Sequence, residues 1–270
     1  MYIPAICANF ENLRNIPKDA PINYYITGGV SESYDGRDLN KEYDFIVENG
    51  YDIVMIHMCV PDDVRKTYIE NKPYFNFINK LEDVGLTFHY KTPKNFTDLS
   101  VLFDQITWVH MECPTARIYI ENEIDDLYGV LQFVKALRDV GIDAWMLLDT
   151  CHLQMGLNQY GKEIGNHDEL VMKTLVMYMD YIGALHISCS RGADGYSWEL
   201  HGKPILTDED ELYFRNICMT LKMQEGFIGV KNDIILIPEV TEKSYESDST
   251  RENGLKAYDI LNEYFGSKVD

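Results

Sequence analysis

The chain has 270 residues, 46% of them hydrophobic and 25% charged, and 24 Lys and Arg against 44 Asp and Glu leave a formal charge of -20. This is the composition of an ordinary globular protein with a large core, and it excludes intrinsic disorder. Because neutralisation by Lys and Arg supplies most non-specific affinity for nucleic acid, so acidic a chain disfavours DNA as a partner, and two or three bound dications would offset only about 4 to 6 charges.

The opening segment MYIPAICANFENLRNIPKDA has no basic region followed by a long apolar run, and no later stretch approaches the roughly 18 apolar residues of a membrane span, so a cytoplasmic protein without a membrane partner is expected. Six cysteines (Cys7, Cys59, Cys113, Cys151, Cys189 and Cys218) show no C-x-x-C spacing, which argues for reduced thiols rather than a zinc knuckle or a disulfide framework.

In chain order, apolar runs of strand length alternate with amphipathic patterns of helix length. Strands are predicted at Ile22 to Thr27, Asp52 to His57, Leu86 to Tyr90, Ala116 to Glu121, Ala144 to Asp149, Ala184 to Ser188 and Ile234 to Glu239. Helices are predicted at Asp38 to Glu48, Val64 to Val84 with an interruption at Pro73, Asp125 to Val140, Asp168 to Tyr181, Asp208 to Met223 and Arg251 to Phe265, several with Asp or Asn placed to cap them. The alternation implies a parallel sheet with crossover helices, and about 250 residues is the size of a one-domain (β/α)8 barrel, here residues 1–270. Seven strands are clear. The eighth comes from Tyr2 to Ala8 or from His201 to Leu206. A doubly wound open sheet is the alternative, but no strand is followed by G-x-G-x-x-G or a P-loop.

The strand ends decide between these folds. They read VMIHM (His57), LTFHY (His89), IYIEN (Glu121), LLDTCH (Asp149, His152), ALHIS (His186) and ILIPE (Glu239). A single histidine in such a place is most often a hydrogen-bonded core residue, yet six strand ends in a row each close with a ligand type. Buried carboxylates cost several kcal/mol unless paired or metal-bound, so Glu121, Asp149 and Glu239 require cationic company. A barrel converges such residues at the C-terminal ends of its strands.

The blocks ARIYIENE, LLDTCHL, ALHIS and ILIPEV, within Tyr51 to Glu239, resemble the strand ends of the xylose isomerase-like barrel superfamily, which includes endonuclease IV and sugar isomerases and epimerases. Glu121, Asp149, His186 and Glu239 match the single-metal site shared by these enzymes. The resemblance to endonuclease IV goes further, since that family adds histidines on strands two and three, the histidine of D-T-C-H and a D-x-H pair. His57, His89, His152 and Glu199-x-His201 fill those places, with Glu199 standing where the family has Asp. The resemblance implies one ion on His57, His89 and Glu121, a second on Glu121, Asp149, His186 and Glu239, and a third on His152, Glu199 and His201. Mixed nitrogen and oxygen ligands suit Zn, and also Mn or Fe.

Among weaker signals, Arg37, Lys91, Lys94, Arg191, Lys203, Lys243 and Arg251 fall in loops near the expected barrel mouth, where each reads equally well as a solvated cation or an anion ligand. Arg191 stands out because it follows His186 by five residues. His110 and Glu112 precede a strand and read as structural, at the end of a helix or in a connecting loop. His167 marks a helix start, and Gly28-Gly29 reads as a turn.

Three functions are compatible with these residues. One is a metal-dependent hydrolase acting on phosphodiesters, with abasic-site DNA the substrate class that the resemblance implies. Another is a sugar isomerase or epimerase in which Glu121 and Glu239 exchange a proton at carbon while His152 and Arg191 orient a sugar-like substrate. The third is a barrel that binds a ligand without turnover, which the full set of ligand types argues against.

Overall fold

The computed structural model describes residues 1–25, 38–57, 72–90, 96–122, 127–153, 167–188, 205, 207–227, 232–239 and 248–266. Among the described residues there are nine parallel strands: β1 (Tyr2–Pro4), β2 (Ile6–Asn9), β3 (Pro21–Tyr25), β4 (Asp52–His57), β5 (Gly85–Tyr90), β6 (Arg117–Asn122), β7 (Ala144–Asp149), β8 (Ile182–Ile187) and β9 (Ile234–Pro238). They pair in the order β1-β9-β8-β7-β6-β5-β4-β3-β2. The helices among the described residues are α1 (Leu39–Asn49), α2 (Lys72–Lys80), α3 (Phe96–Glu112), α4 (Leu127–Asp139), α5 (His167–Tyr178), α6 (Asp208–Phe227) and α7 (Asp248–Phe265).

The N-terminal segment closes the sheet. Tyr2–Pro4 pairs with β9 and Ile6–Asn9 pairs with β3, and between them the Ala5 N–H donates to the Leu236 carbonyl at 2.8 Å. One stretch of chain thus borders both β9 and β3, and with the other seven strands it makes the eight staves of an α/β barrel. The eighth strand is therefore Tyr2 to Ala8. Of the other candidate, His201 to Leu206, only Ile205 lies among the described residues. No described helix is long and apolar enough to cross a membrane.

Side chains alternate across each strand, so the sheet divides the core in two. Ile118, Ile120, Leu148, Leu185 and Leu236 face the helices and belong to the larger buried cluster. Ala5, Cys7, Tyr25, Met55, Tyr119, Leu147, Ala184, Ile235 and Ile237 form a second cluster inside the barrel. Tyr119 fills the interior only because its neighbours are small: a Cβ on Gly85 would lie 2.5 Å from its Cε2, and one on Gly183 would lie 2.8 Å from its Cε1. Gly85→Ala is expected to destabilise the fold by about 1–3 kcal/mol, the usual cost of overpacking, read as a lower midpoint in urea at unchanged slope.

Local rules explain most boundaries. The Asp38 side chain accepts from the Lys41 N–H to start α1, and Gly50 ends it at φ 71, a left-handed conformation natural to glycine. Thr207 and Asp210 cap α6 reciprocally, at 2.9 and 3.1 Å. The helix predicted through Val84 ends at Lys80, because Asp83 turns at φ 57 and lets Val84 enter the core before β5. Pro73 lies in the first turn of α2, where its missing N–H has no intrahelical partner to lose, and residues 64–71 lie outside the described region. Helix α3 was not predicted. Leu99, Leu102, Phe103, Ile106 and Val109 follow helical spacing, but exposed Val101 and Met111 on its outer face blur the stripe.

Candidate metal centre

Each candidate ligand lies two residues beyond an interior side chain of its own strand, on the same face. Met55 leads to His57, Thr87 to His89, Tyr119 to Glu121, Leu147 to Asp149, Ala184 to His186 and Ile237 to Glu239. In parallel strands that all run the same way, this register brings the six residues to one end of the barrel interior.

Two ligand groups result. His57, His89 and Glu121 form one, and Glu121, Asp149, His186 and Glu239 form the other, with the ligand atoms of each group within 4.8 Å of one another. Glu121 belongs to both. His57 Nε2 and His89 Nε2 are 3.2 Å apart, His89 Nε2 lies 3.1 Å from Glu121 Oε2, and His186 Nδ1 lies 3.1 Å from Glu121 Oε1. Ligands at about 2.05 Å from one ion are separated by about 2.9 Å on an octahedral edge and about 3.3 Å on a tetrahedral one, and the observed spacings fall between these values. His186 is fully buried, and among the described residues its Nε2 has no hydrogen-bond partner. Three carboxylates buried to 3% exposure or less in one group is a charge that folding alone does not tolerate cheaply, and a dication removes that cost. The donor set fits a divalent metal.

His152 joins the same end through the helical turn that follows β7. Its Nδ1 is 2.7 Å from the Asn122 carbonyl oxygen, 3.7 Å from Glu121 Oε1 and 3.8 Å from Asp149 Oδ2. Glu199, His201 and Arg191 lie outside the described residues, as do Arg37, Lys91, Lys94, Lys203, Lys243 and Gly28-Gly29. Arg251 falls in the first turns of α7, and His167 opens α5. His110 and Glu112 close α3, whose C-terminal end leads into the start of β6 and so lies away from the ligand end of the barrel. The Cys151 thiol is pushed up by burial and by Asp149 and Glu239, which makes it an inert neighbour.

Two residues of the site were overlooked in the sequence. Tyr25 packs its ring 4.8 Å from that of His57, and Asn122 holds the backbone of Asp149. Tyr25 had a signal, since it lies within the strand predicted at Ile22 to Thr27 and shares the interior face; Asn122 had only its place beside Glu121.

Burial alone pushes the Glu121 carboxyl up, but the imidazoles of His89 and His186 outweigh it and hold the carboxyl well below the usual carboxylate range. Burial pushes His186 down, and Glu121, with Glu239 and Asp149 beyond it, outweighs that and raises it. A depressed carboxyl stabilises the fold above its ordinary value of 4.5 and loses that stability as pH falls through the folded value. A raised imidazole stabilises below its ordinary 6.5 and loses that stability as pH rises through the folded value. The metal-free protein is therefore expected to melt highest between about pH 4.5 and 6.5 as far as this pair is concerned, checked by thermal melts in chelator across that range. A metal must displace the His186 proton, so its apparent affinity should rise with pH up to that imidazole's raised value.

Together the fold and the site define an eight-stave α/β barrel with a buried carboxylate and histidine cluster suited to divalent ions. No family model matches the chain, and no curated protein matches it by sequence. Among solved structures it is similar to a xylose isomerase domain protein from Planctomyces limnophilus, at 12% identity and TM-score 0.57 over 97% of both chains. It is also similar to a psychrophilic glycoside hydrolase family 10 endo-beta-1,4-xylanase, at 11% identity and TM-score 0.54 over 95% of both. Likeness at such low identity establishes the barrel and leaves activity to the site.

Proposed function

We propose that this protein is a multinuclear metallohydrolase acting on phosphodiesters, in the manner of endonuclease IV. The observation that carries this reading is the sharing of Glu121 between two ligand groups, with His57 and His89 completing the first. A single-ion isomerase has no metal role for those two histidines. The resemblance adds a third position on His152, Glu199 and His201, and Zn, Mn and Fe all suit the donors. When bound, a cluster of divalent ions supplies Lewis acidity and charge neutralisation to a phosphoryl group.

The chain's own residues do the rest. Glu121 holds one oxygen toward His186 and the other toward His89. Burial of Glu121, Asp149, His186 and Glu239 keeps water from the floor of the site, so charge there is screened only by the protein. Arg191, five residues beyond His186, is assigned to orient the anionic substrate. The charge of -20 favours small phosphodiesters over duplex DNA.

The test is hydrolysis of a small phosphodiester and nicking of an abasic duplex by the Zn- or Mn-loaded protein. Turnover is expected, with His57→Ala lowering it by on the order of 100-fold through loss of one ion. No cleavage of either substrate by protein carrying two or more ions would end this reading. The four-residue group by itself favours the second reading, an isomerase or epimerase, in which Glu121 and Glu239 would move a proton at carbon. Solvent deuterium entering a ketose or aldose would support it.

A further inference from the structure

At the tips of β6 and β7 three buried residues hold one another in a closed circuit. The Asp149 N–H donates to Asn122 Oδ1 at 2.8 Å, and Asn122 Nδ2 donates back to the Asp149 carbonyl at 3.2 Å. The His152 N–H donates to Asp149 Oδ1 at 2.7 Å, and His152 Nδ1 lies 2.7 Å from the Asn122 carbonyl oxygen. Each side chain grips the main chain of the next residue.

The circuit solves a problem of sheet geometry. The backbone pairing of β6 with β7 stops at Glu121 and Leu147. Beyond it, the backbone groups of Asp149 are buried and need partners. The Asn122 carboxamide, with one acceptor and one donor in a plane, replaces the missing strand partner. That leaves the Asn122 main-chain carbonyl for His152. A carbonyl only accepts, so His152 Nδ1 carries a hydrogen, and in the neutral ring the lone pair then sits at Nε2. Likewise, the His152 N–H engages Oδ1 of Asp149, while Oδ2 is the oxygen that faces His152 and His186.

We infer that Asn122 is a positioning residue for the metal centre, its carboxamide setting Asp149 and its carbonyl locking His152 as the Nδ1–H tautomer with Nε2 presented for coordination. The inference rests on the metal-centre reading above and extends it to a residue outside both ligand groups. Aspartate in its place would set an oxygen against the Asp149 carbonyl and add a charge beside three carboxylates, so shape alone does not substitute.

The test uses the full-length protein and Co(II) as the probe. Asn122→Ala and Asn122→Asp are each expected to weaken Co(II) binding by roughly 10- to 100-fold, the range for loss of an outer-shell partner, and to change the ligand-field absorption. Gly85→Ala, which strains the opposite end of the barrel, should lower the melting temperature and leave both readouts alone. The Asn122→Ala and His152→Ala effects on affinity should be markedly less than additive, because either change opens the same circuit. Nitrogen-15 spectra of the metal-free wild type should show His152 as the Nδ1–H tautomer, a readout that needs no variant of Asn122 to fold. Wild-type protein that binds no Co(II) would sink the metal-centre reading. Tight binding that both Asn122 variants retain with an unchanged spectrum, or a His152 ring bearing its hydrogen on Nε2, would overturn the role of Asn122.

Discussion

Glu121→Ala is expected to strip the protein of two ions at once, whereas His57→Ala removes one. The carboxylate of Glu121 lies in both ligand groups, and no other described side chain does. Without it, the first group is reduced to two imidazoles 3.2 Å apart, and the second loses the carboxylate that His186 contacts at 3.1 Å. The loss should exceed the roughly 10- to 100-fold in affinity that an outer-shell change costs. His57→Ala leaves Glu121, Asp149, His186 and Glu239 in place. Because three of those four are carboxylates, this group is also expected to fill first in a titration. Elemental analysis of wild type and both variants reads the result. A Glu121→Ala protein that loses no more ions than the His57→Ala protein would show that the two groups are not bridged as the geometry indicates.

The second large effect is on stability, with opposite signs in the two metal states. A single ion at 100 times its dissociation constant adds about 2.7 kcal/mol. For a chain of this size, that corresponds to roughly 5–10 °C in melting temperature, which chelator should remove. Glu239→Gln removes one of the three carboxylates of the four-residue group, whose ligand atoms lie within 4.8 Å of one another. Like charges about 5 Å apart repel by about 3 kcal/mol at an effective dielectric near 20, an upper figure for what the substitution relieves. The Glu239→Gln protein should therefore melt higher than wild type in chelator and lower in excess metal. A variant that is less stable in both states would mean that Glu239 is held by other groups strongly enough to offset the repulsion.

Both results follow from where the chain places charge against its own folding interest. Tyr119, Leu147, Ala184 and Ile237 pack the barrel interior as any core does, and two residues further along the same strands the interior becomes Glu121, Asp149, His186 and Glu239. Stability below, and chemistry at the C-terminal rim, is the division of labour this fold permits, because the helices hold the strands independently of what their ends carry.

Much of this was written in the sequence by itself. The alternation of buried strand and amphipathic helix, and the recurrence of ligand types at strand ends, both depend on periodicity and short-range chemistry, so β4 and β7 fall where they were predicted, at Asp52–His57 and Ala144–Asp149. Six of the candidate ligand residues lie together in two groups at one end of the barrel, since an even spacing on parallel strands puts them on one face. Only the tertiary structure decided the rest. Whether Tyr2 to Ala8 or His201 to Leu206 supplied the eighth strand depended on which segment borders β9 and β3 together, a long-range pairing with no local signature. That Glu121 is shared, that His57 and His89 stand 3.2 Å apart, and that Asn122 and His152 close a circuit are matters of a few ångströms between residues distant in the chain. Sequence pattern sets which face a side chain takes; distance across a barrel is set by how all eight strands tilt and pack at once.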